Sequence, residues 1–276
     1  MLGKLLKHEF HAVSRLLLPM HLALILITLV GRFYVQFAMS NMDSRFDLIN
    51  VSLVMFYMLA LFAILILTYV YLYILRPHKN LFSDEGYLMH TLPVTASMHI
   101  WSKLIVSICW ILLDMFLISL SVFLMLVNPD FLEYWPNMIG EIQEMISITT
   151  GMDFVMGAIA YIINLLISCA RGILVVYMCM AVGHSFNQYK LLISISIYIG
   201  VYVVTSIINT LFSILVGIPW LKNGGFSSIF VMGIYSDSYQ SSAQLLTWFD
   251  ALFSLVIAVA AFFVTRYFLT KRLNLE

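Results

Sequence analysis

Hydrophobic positions in this chain do not alternate with polar ones. They run on for twenty or more residues at a time. Six such runs stand out: Leu16–Phe37, Ser52–Leu75, Ile100–Val127, Phe154–Val182, Leu191–Val216 and Trp248–Leu269. About 20 apolar residues in helical form cross the hydrocarbon of a bilayer. Continuous runs of this length point to helices, since barrel strands are shorter and alternate in polarity. Ahead of the first run the pattern differs. Leu2, Leu5, Leu6, Phe10, Val13 and Leu17 recur at helical three-and-four spacing, while Lys4, Lys7, His8, His11 and Arg15 lie mostly off that face. That describes an amphipathic helix over residues 1–15 lying in a membrane interface, with its basic residues among anionic headgroups. Pro19 is expected at the turn into the first span.

Composition supports a membrane chain. Hydrophobic residues make up 62% of the 276 and charged residues 10%, against about 25% charged in an ordinary soluble domain. The formal net charge is zero, so no overall field calls for nucleic acid. Cys109, Cys169 and Cys179 all lie in apolar runs without metal-ligand spacing, so a metal site or disulfide framework is not expected. No extramembrane stretch is long enough for a core of its own, and residues 1–276 are expected to form a single transmembrane domain.

The charges also orient the spans. With the N-terminus inside, the inner segments hold ten Lys and Arg residues and the outer segments three, a clear positive-inside bias. The stretch Asn128–Asp153 has five acids and no Lys or Arg, which suits the outer face. Both termini are then cytoplasmic. The first run lacks a small-x-small cleavage site and is expected to remain as a permanent helix.

The segment between spans two and three, "LFSDEGYLMHTLPVT" from Leu81 to Thr95, then falls on the cytoplasmic side. Ser83 or Asp84 can cap a short helix over about 83–92, with Asp84 and Glu85 at its positive end. Pro93 ends it. Tyr87, Leu88 and Leu92 offer an apolar contact surface, and Gly86 allows another backbone close. This stretch, "DEGYLMHTLPVTASMHIWSK" as a whole, together with "KLLKHEF" at Lys4–Phe10, resembles the membrane permease subunits of type-2 ATP-binding-cassette (ABC) exporters from Gram-positive bacteria. The resemblance implies an all-α membrane protein of six spans with an N-terminal elbow helix. It implies a cytoplasmic coupling helix between spans two and three that docks on an ATPase, with Asp84, Glu85, Gly86, Tyr87, Leu88 and His90 as coupling residues. It implies as partners a separate ABC ATPase subunit and a second permease chain, identical or not, in the bacterial cell membrane. No G-x-x-x-x-G-K-[ST] loop occurs in the sequence, so no cofactor is expected on this chain, and ATP and Mg are expected in the partner.

Charges inside spans are costly, about 2.5–3.5 kcal/mol on insertion scales, and need partners or water. Asp114 in span three and Arg171 in span four each lie ~16 Å from the inner boundary at about 1.5 Å per residue. An Asp114–Arg171 ion pair is expected, either locking two helices or lining a polar substrate path. Asn164 and Asn209 are expected to bond across helices, and His21 is read as an interface residue near the start of span one. In Asn128–Asp153, Glu141 and Glu144 with Ile139, Ile142 and Ile146 suit a short surface helix. In Gly217–Thr247 the resemblance implies short helices capping an exit, with Phe226, Phe230 and Met232 serving there. The leading function is export of a hydrophobic or amphipathic substrate such as a peptide antibiotic, drug or lipid. A non-transporting anchor or sensor for a cytoplasmic partner is the alternative. An intramembrane enzyme is a third, and it lacks a cluster of in-span acids or an H-E-x-x-H pair.

Overall fold

The computed structural model describes residues 2–40, 47–81, 94–186, 188–224 and 237–271. The described residues form helices α1 (Leu2–Ser40), α2 (Asp47–Val70), a π-turn (Tyr71–Leu75), α3 (Arg76–Leu81), α4 (Ala96–Leu126), α5 (Pro129–Thr150), α6 (Phe154–Gly183), α7 (Lys190–Gly224) and α8 (Asp237–Lys271). Six stretches among them are long and apolar enough to cross a membrane: Leu2–Tyr34, Ser52–Lys79, Ala96–Leu126, Phe154–Gly183, Lys190–Val216 and Gln240–Lys271. The described residues are thus all-helical and of multi-pass membrane character. The chain divides into two compact units, Met1–Glu133 and Tyr134–Glu276.

In the first unit α1 packs on α4 and α2. The sequence led us to expect a break near Pro19. Instead α1 is continuous through that proline. A mid-helix proline loses one backbone bond and ordinarily costs ~3 kcal/mol. Here the buried stripe Glu9, Val13, Leu17, His21, Leu24 and Thr28 runs on both sides of it, so packing on one unbroken face outweighs the local preference. The expected amphipathic pattern is present within this helix: Val13 and Leu17 are buried, while Lys4, Lys7, His8, His11 and Arg15 are exposed. Leu24, Tyr57, Leu61 and Ile64 form the apolar core, with Leu117, Ile118 and Met125 packed against them.

The π-turn precedes Pro77. The Arg76 N–H donates to the Tyr71 carbonyl, five residues back. A proline clashes with the carbonyl four residues before it, and a wider turn relieves that clash. The same turn sets where Arg76 projects.

In the second unit α6 packs on α8 and α7. Ser254, Ala258, Ala261 and Thr265 form a buried stripe of small residues along α8. Such a stripe lets two helices approach closely without a hydrophobic drive between them in lipid. Cys169, Ile173, Tyr177 and Met180 fill the buried face of α6, and Phe212 of α7 stacks on Phe249 of α8 with centroids 3.6 Å apart.

Asn128–Asp153 is more regular than its sequence suggested. In place of a short surface helix, α5 runs 22 residues. The Asn128 Oδ1 accepts the Phe131 N–H at 2.6 Å and caps its start. Gly151, at φ +71°, turns the chain into α6, a conformation that glycine adopts without a Cβ penalty. Just beyond, Gly157 lies tight against α5. A Cβ there would strike the Ile146 side chain and come within 2.8 Å of Thr150 Oγ1. Gly157→Val is expected to destabilise the chain by about 1–3 kcal/mol through overpacking. Thermal unfolding of the purified protein measures this, and an unchanged midpoint would mean that α5 and α6 separate freely here.

Candidate functional site

Buried polar groups in a membrane bundle demand partners. Several of those in the first unit gather into three layers along one seam. At the first layer Glu9 sits between two cations. Its Oε2 accepts from Arg76 Nη2 at 2.6 Å and Nε at 2.9 Å. Its Oε1 accepts from Lys103 Nζ at 2.6 Å. Glu9 and Lys103 are buried, and the Arg76 side chain is only 14% exposed. Two Arg76 N–H groups on one oxygen and the Lys103 ammonium on the other make charge-assisted hydrogen bonds, about twice as strong as neutral ones.

At the second layer His21 Nε2 stands 3.2 Å from Asp114 Oδ1. Both are buried. The distance is that of an ion pair, but its angles miss those of a hydrogen bond, and both atoms are otherwise unbonded. The other ring nitrogen of His21 contacts the Leu17 carbonyl at 2.7 Å, which fixes the ring, and the indole of Trp110 lies 5.7 Å from it. At the third layer Ser121 Oγ meets Thr28 Oγ1 at 2.6 Å and the Tyr57 hydroxyl.

Residue counts tie the layers together. Glu9 to Thr28 is 19 residues on α1, Lys103 to Ser121 is 18 on α4, and Tyr57 to Arg76 is 19 on α2 and its extension. At 1.5 Å per residue each is about 28 Å. The outer two layers are therefore one hydrocarbon thickness apart, roughly 30 Å. His21 and Asp114 fall about 16–18 Å beyond the ionic layer, near the middle. Helices α1 and α4 run in the same direction along this seam, and α2 runs against them.

Among residues singled out from sequence, Asp114 thus finds His21. Arg171, on α6 of the second unit, has Asp250 of α8 at 3.9 Å, with both side chains partly exposed. Each has a partner within its own unit, and the Asp114–Arg171 pair expected from matching depth would join one unit to the other. Asp84, Glu85, Gly86, Tyr87, Leu88 and His90 lie outside the described residues, as do Phe226, Phe230 and Met232. No protein-family model, curated protein or solved structure matches this chain.

Sequence reasoning missed Glu9 and Asp250, and it named His21 without its partner Asp114. Glu9 did carry a signal: it is the one acid before Asp43, set among basic and apolar residues. The ionic layer ties α1 to α3 and α4. Arg76 opens α3, which ends at Leu81, and Lys103 stands on the second turn of α4, which starts at Ala96. The two cations flank the segment singled out as a coupling helix, and both are held by one carboxylate of α1.

Proposed function

We propose that this chain is the permease subunit of a type-2 ABC exporter in the bacterial cytoplasmic membrane. A separate ATPase subunit binds ATP and Mg and hydrolyses the nucleotide. The chain acts with a second permease chain, identical or related, and moves a hydrophobic or amphipathic substrate. Both termini and the segment Asp84–His90 face the cytoplasm. The observation that supports this reading is the Glu9–Arg76–Lys103 layer. A push received by Asp84, Glu85, Gly86, Tyr87, Leu88 and His90 reaches α3 on one side and α4 on the other. Arg76 and Lys103 deliver it to Glu9, so α1, α2 and α4 move together. A passive surface connector has no need of such a clamp at both its ends.

The test is co-purification with the ABC ATPase encoded beside the permease. Wild-type chains are expected to elute with it. The double variant Glu85→Arg, Gly86→Trp is expected to lose the ATPase while remaining monodisperse. Retained association in the variant would remove the contact from this segment. A wild type that never associates would overturn the permease reading and favour the anchor alternative.

A further inference from the structure

His21 and Asp114 face each other with one hydrogen too few. The Leu17 carbonyl, 2.7 Å from His21 Nδ1, can only accept, so Nδ1 carries a hydrogen. In a neutral imidazole the other nitrogen, Nε2, is then a bare acceptor. It stands 3.2 Å from Asp114 Oδ1, and an ionised carboxylate only accepts as well. Two acceptors at that distance repel. One added proton turns repulsion into attraction. On Nε2 it makes an imidazolium beside a carboxylate. On Asp114 it makes a carboxylic acid with a hydrogen to offer Nε2.

Among the described residues of the first unit, nothing else at this depth meets the need. His21 is the one titratable group of residues 17–25 on α1, and Asp114 is the one of residues 110–118 on α4. Glu9 to His21 is 12 residues. The same count back from Arg76 brings α2 to this depth at Ile64, and residues 60–68 hold no titratable group. Glu9, Arg76 and Lys103 of the ionic layer lie about 16–18 Å away, and His99 is one turn beyond Lys103. Tyr57 of α2 is engaged with Ser121 in the third layer. Trp110, one turn before Asp114, keeps its indole N–H buried and makes no hydrogen bond with it. His21 is 4% and Asp114 1% exposed, so little water reaches either. Without the extra proton the pair leaves a net negative charge in apolar surroundings, a costly state. With it the pair is neutral overall.

We propose that His21 and Asp114 together form a binding site for a single proton in the middle of the α1–α4 seam, and that the helix contact there depends on its being occupied. An empty site is two acceptors and one unpaired buried anion, so release of the proton and parting of α1 from α4 favour each other. Proton binding here needs neither ATPase nor cargo, and it stands whether or not the chain exports.

The first measurement is solid-state nitrogen NMR of the full chain in phosphatidylcholine vesicles, labelled at its histidine rings. It is made at about pH 8.5, where a free imidazole is neutral and a free carboxylate ionised. The His21 signals are assigned by their loss in His21→Gln. Expected is either a His21 ring with hydrogens on both nitrogens, or a neutral ring together with a carboxylic-acid infrared band that Asp114→Asn removes. A neutral ring with no such band would overturn the proposal. The second measurement counts the proton. Asp114→Asn keeps the side-chain shape and brings its own N–H to Nε2, so it needs no added proton. Both proteins are unfolded at equilibrium by dodecyl sulfate in one nonionic detergent at about pH 7, 8 and 9. Above about pH 6.5 the unfolded histidine gives up its extra proton while the folded pair holds one. The stability this proton confers is therefore full below that pH and is lost as pH rises. The folded-to-unfolded ratio of the wild type, relative to that of Asp114→Asn, is expected to fall about 10-fold per pH unit, the linkage of one proton. A relative ratio that does not change with pH would show that the pair holds no proton and would equally overturn the proposal.

Discussion

Glu9→Ala is expected to destabilise the chain by about 3–5 kcal/mol, because it leaves two cations facing each other without their carboxylate. Arg76 and Lys103 each donate to Glu9 at distances down to 2.6 Å, and little water reaches them. A surface pair of the same length would be worth about 1 kcal/mol or less. Burial is what raises the figure, and it does so by making the unpaired state costly. The triple variant Glu9→Leu, Arg76→Met, Lys103→Met should therefore recover most of the lost stability, since apolar replacement of a whole buried ionic cluster is often neutral or favourable. Thermal unfolding in one detergent compares the three proteins. Transport separates the roles. The triple variant folds without the clamp, so on the proposed coupling it hydrolyses ATP with its partner but exports poorly. A Glu9→Ala chain as stable as wild type would show that the cluster is solvated rather than buried.

The spans were legible because hydropathy needs only length and composition. Phe154–Val182 became Phe154–Gly183, and Leu191–Val216 became Lys190–Val216. Helices extend where polar residues hide them: α8 starts at Asp237, eleven residues before Trp248, across Ser241, Ser242 and Gln244. Acids masked α5 in the same way, lowering its hydropathy while leaving its helical period intact. Pro19 misled for a different reason. Its local cost was set against no packing term, and the packing term is the Glu9–Thr28 stripe. The same point bears on His21. A span starting at Leu16 puts His21 near a boundary. A helix that runs from Leu2 and is pinned at Glu9 puts it 12 residues further in, about 18 Å. The polar partners were the least legible part. Matched depth on consecutive spans does not choose a partner, and only the face each helix presents does so.

The His21–Asp114 layer predicts a non-additive pair. His21→Leu leaves a carboxylate in an apolar interior beside Trp110, and Asp114→Leu leaves an imidazole without its acid. Each single change is expected to cost several kcal/mol, toward the ~3–5 kcal/mol of a broken buried pair. His21→Leu should be the worse, because the carboxylate it strands loses the imidazole 3.2 Å from it. The double variant His21→Leu, Asp114→Leu should lie closer to wild type than either single, since two leucines remove both ionisable groups from the buried interior. Denaturation midpoints of the four proteins close a double-mutant cycle, and coupling of 1 kcal/mol or more is expected for residues in contact. If the two single losses simply add, the side chains do not sense one another, and the middle layer of the seam is two separate polar sites. If the coupling is present and the double variant still exports with its ATPase, the pair serves to hold α1 on α4. If the double variant is stable and silent, the pair takes part in the movement that the ionic layer starts.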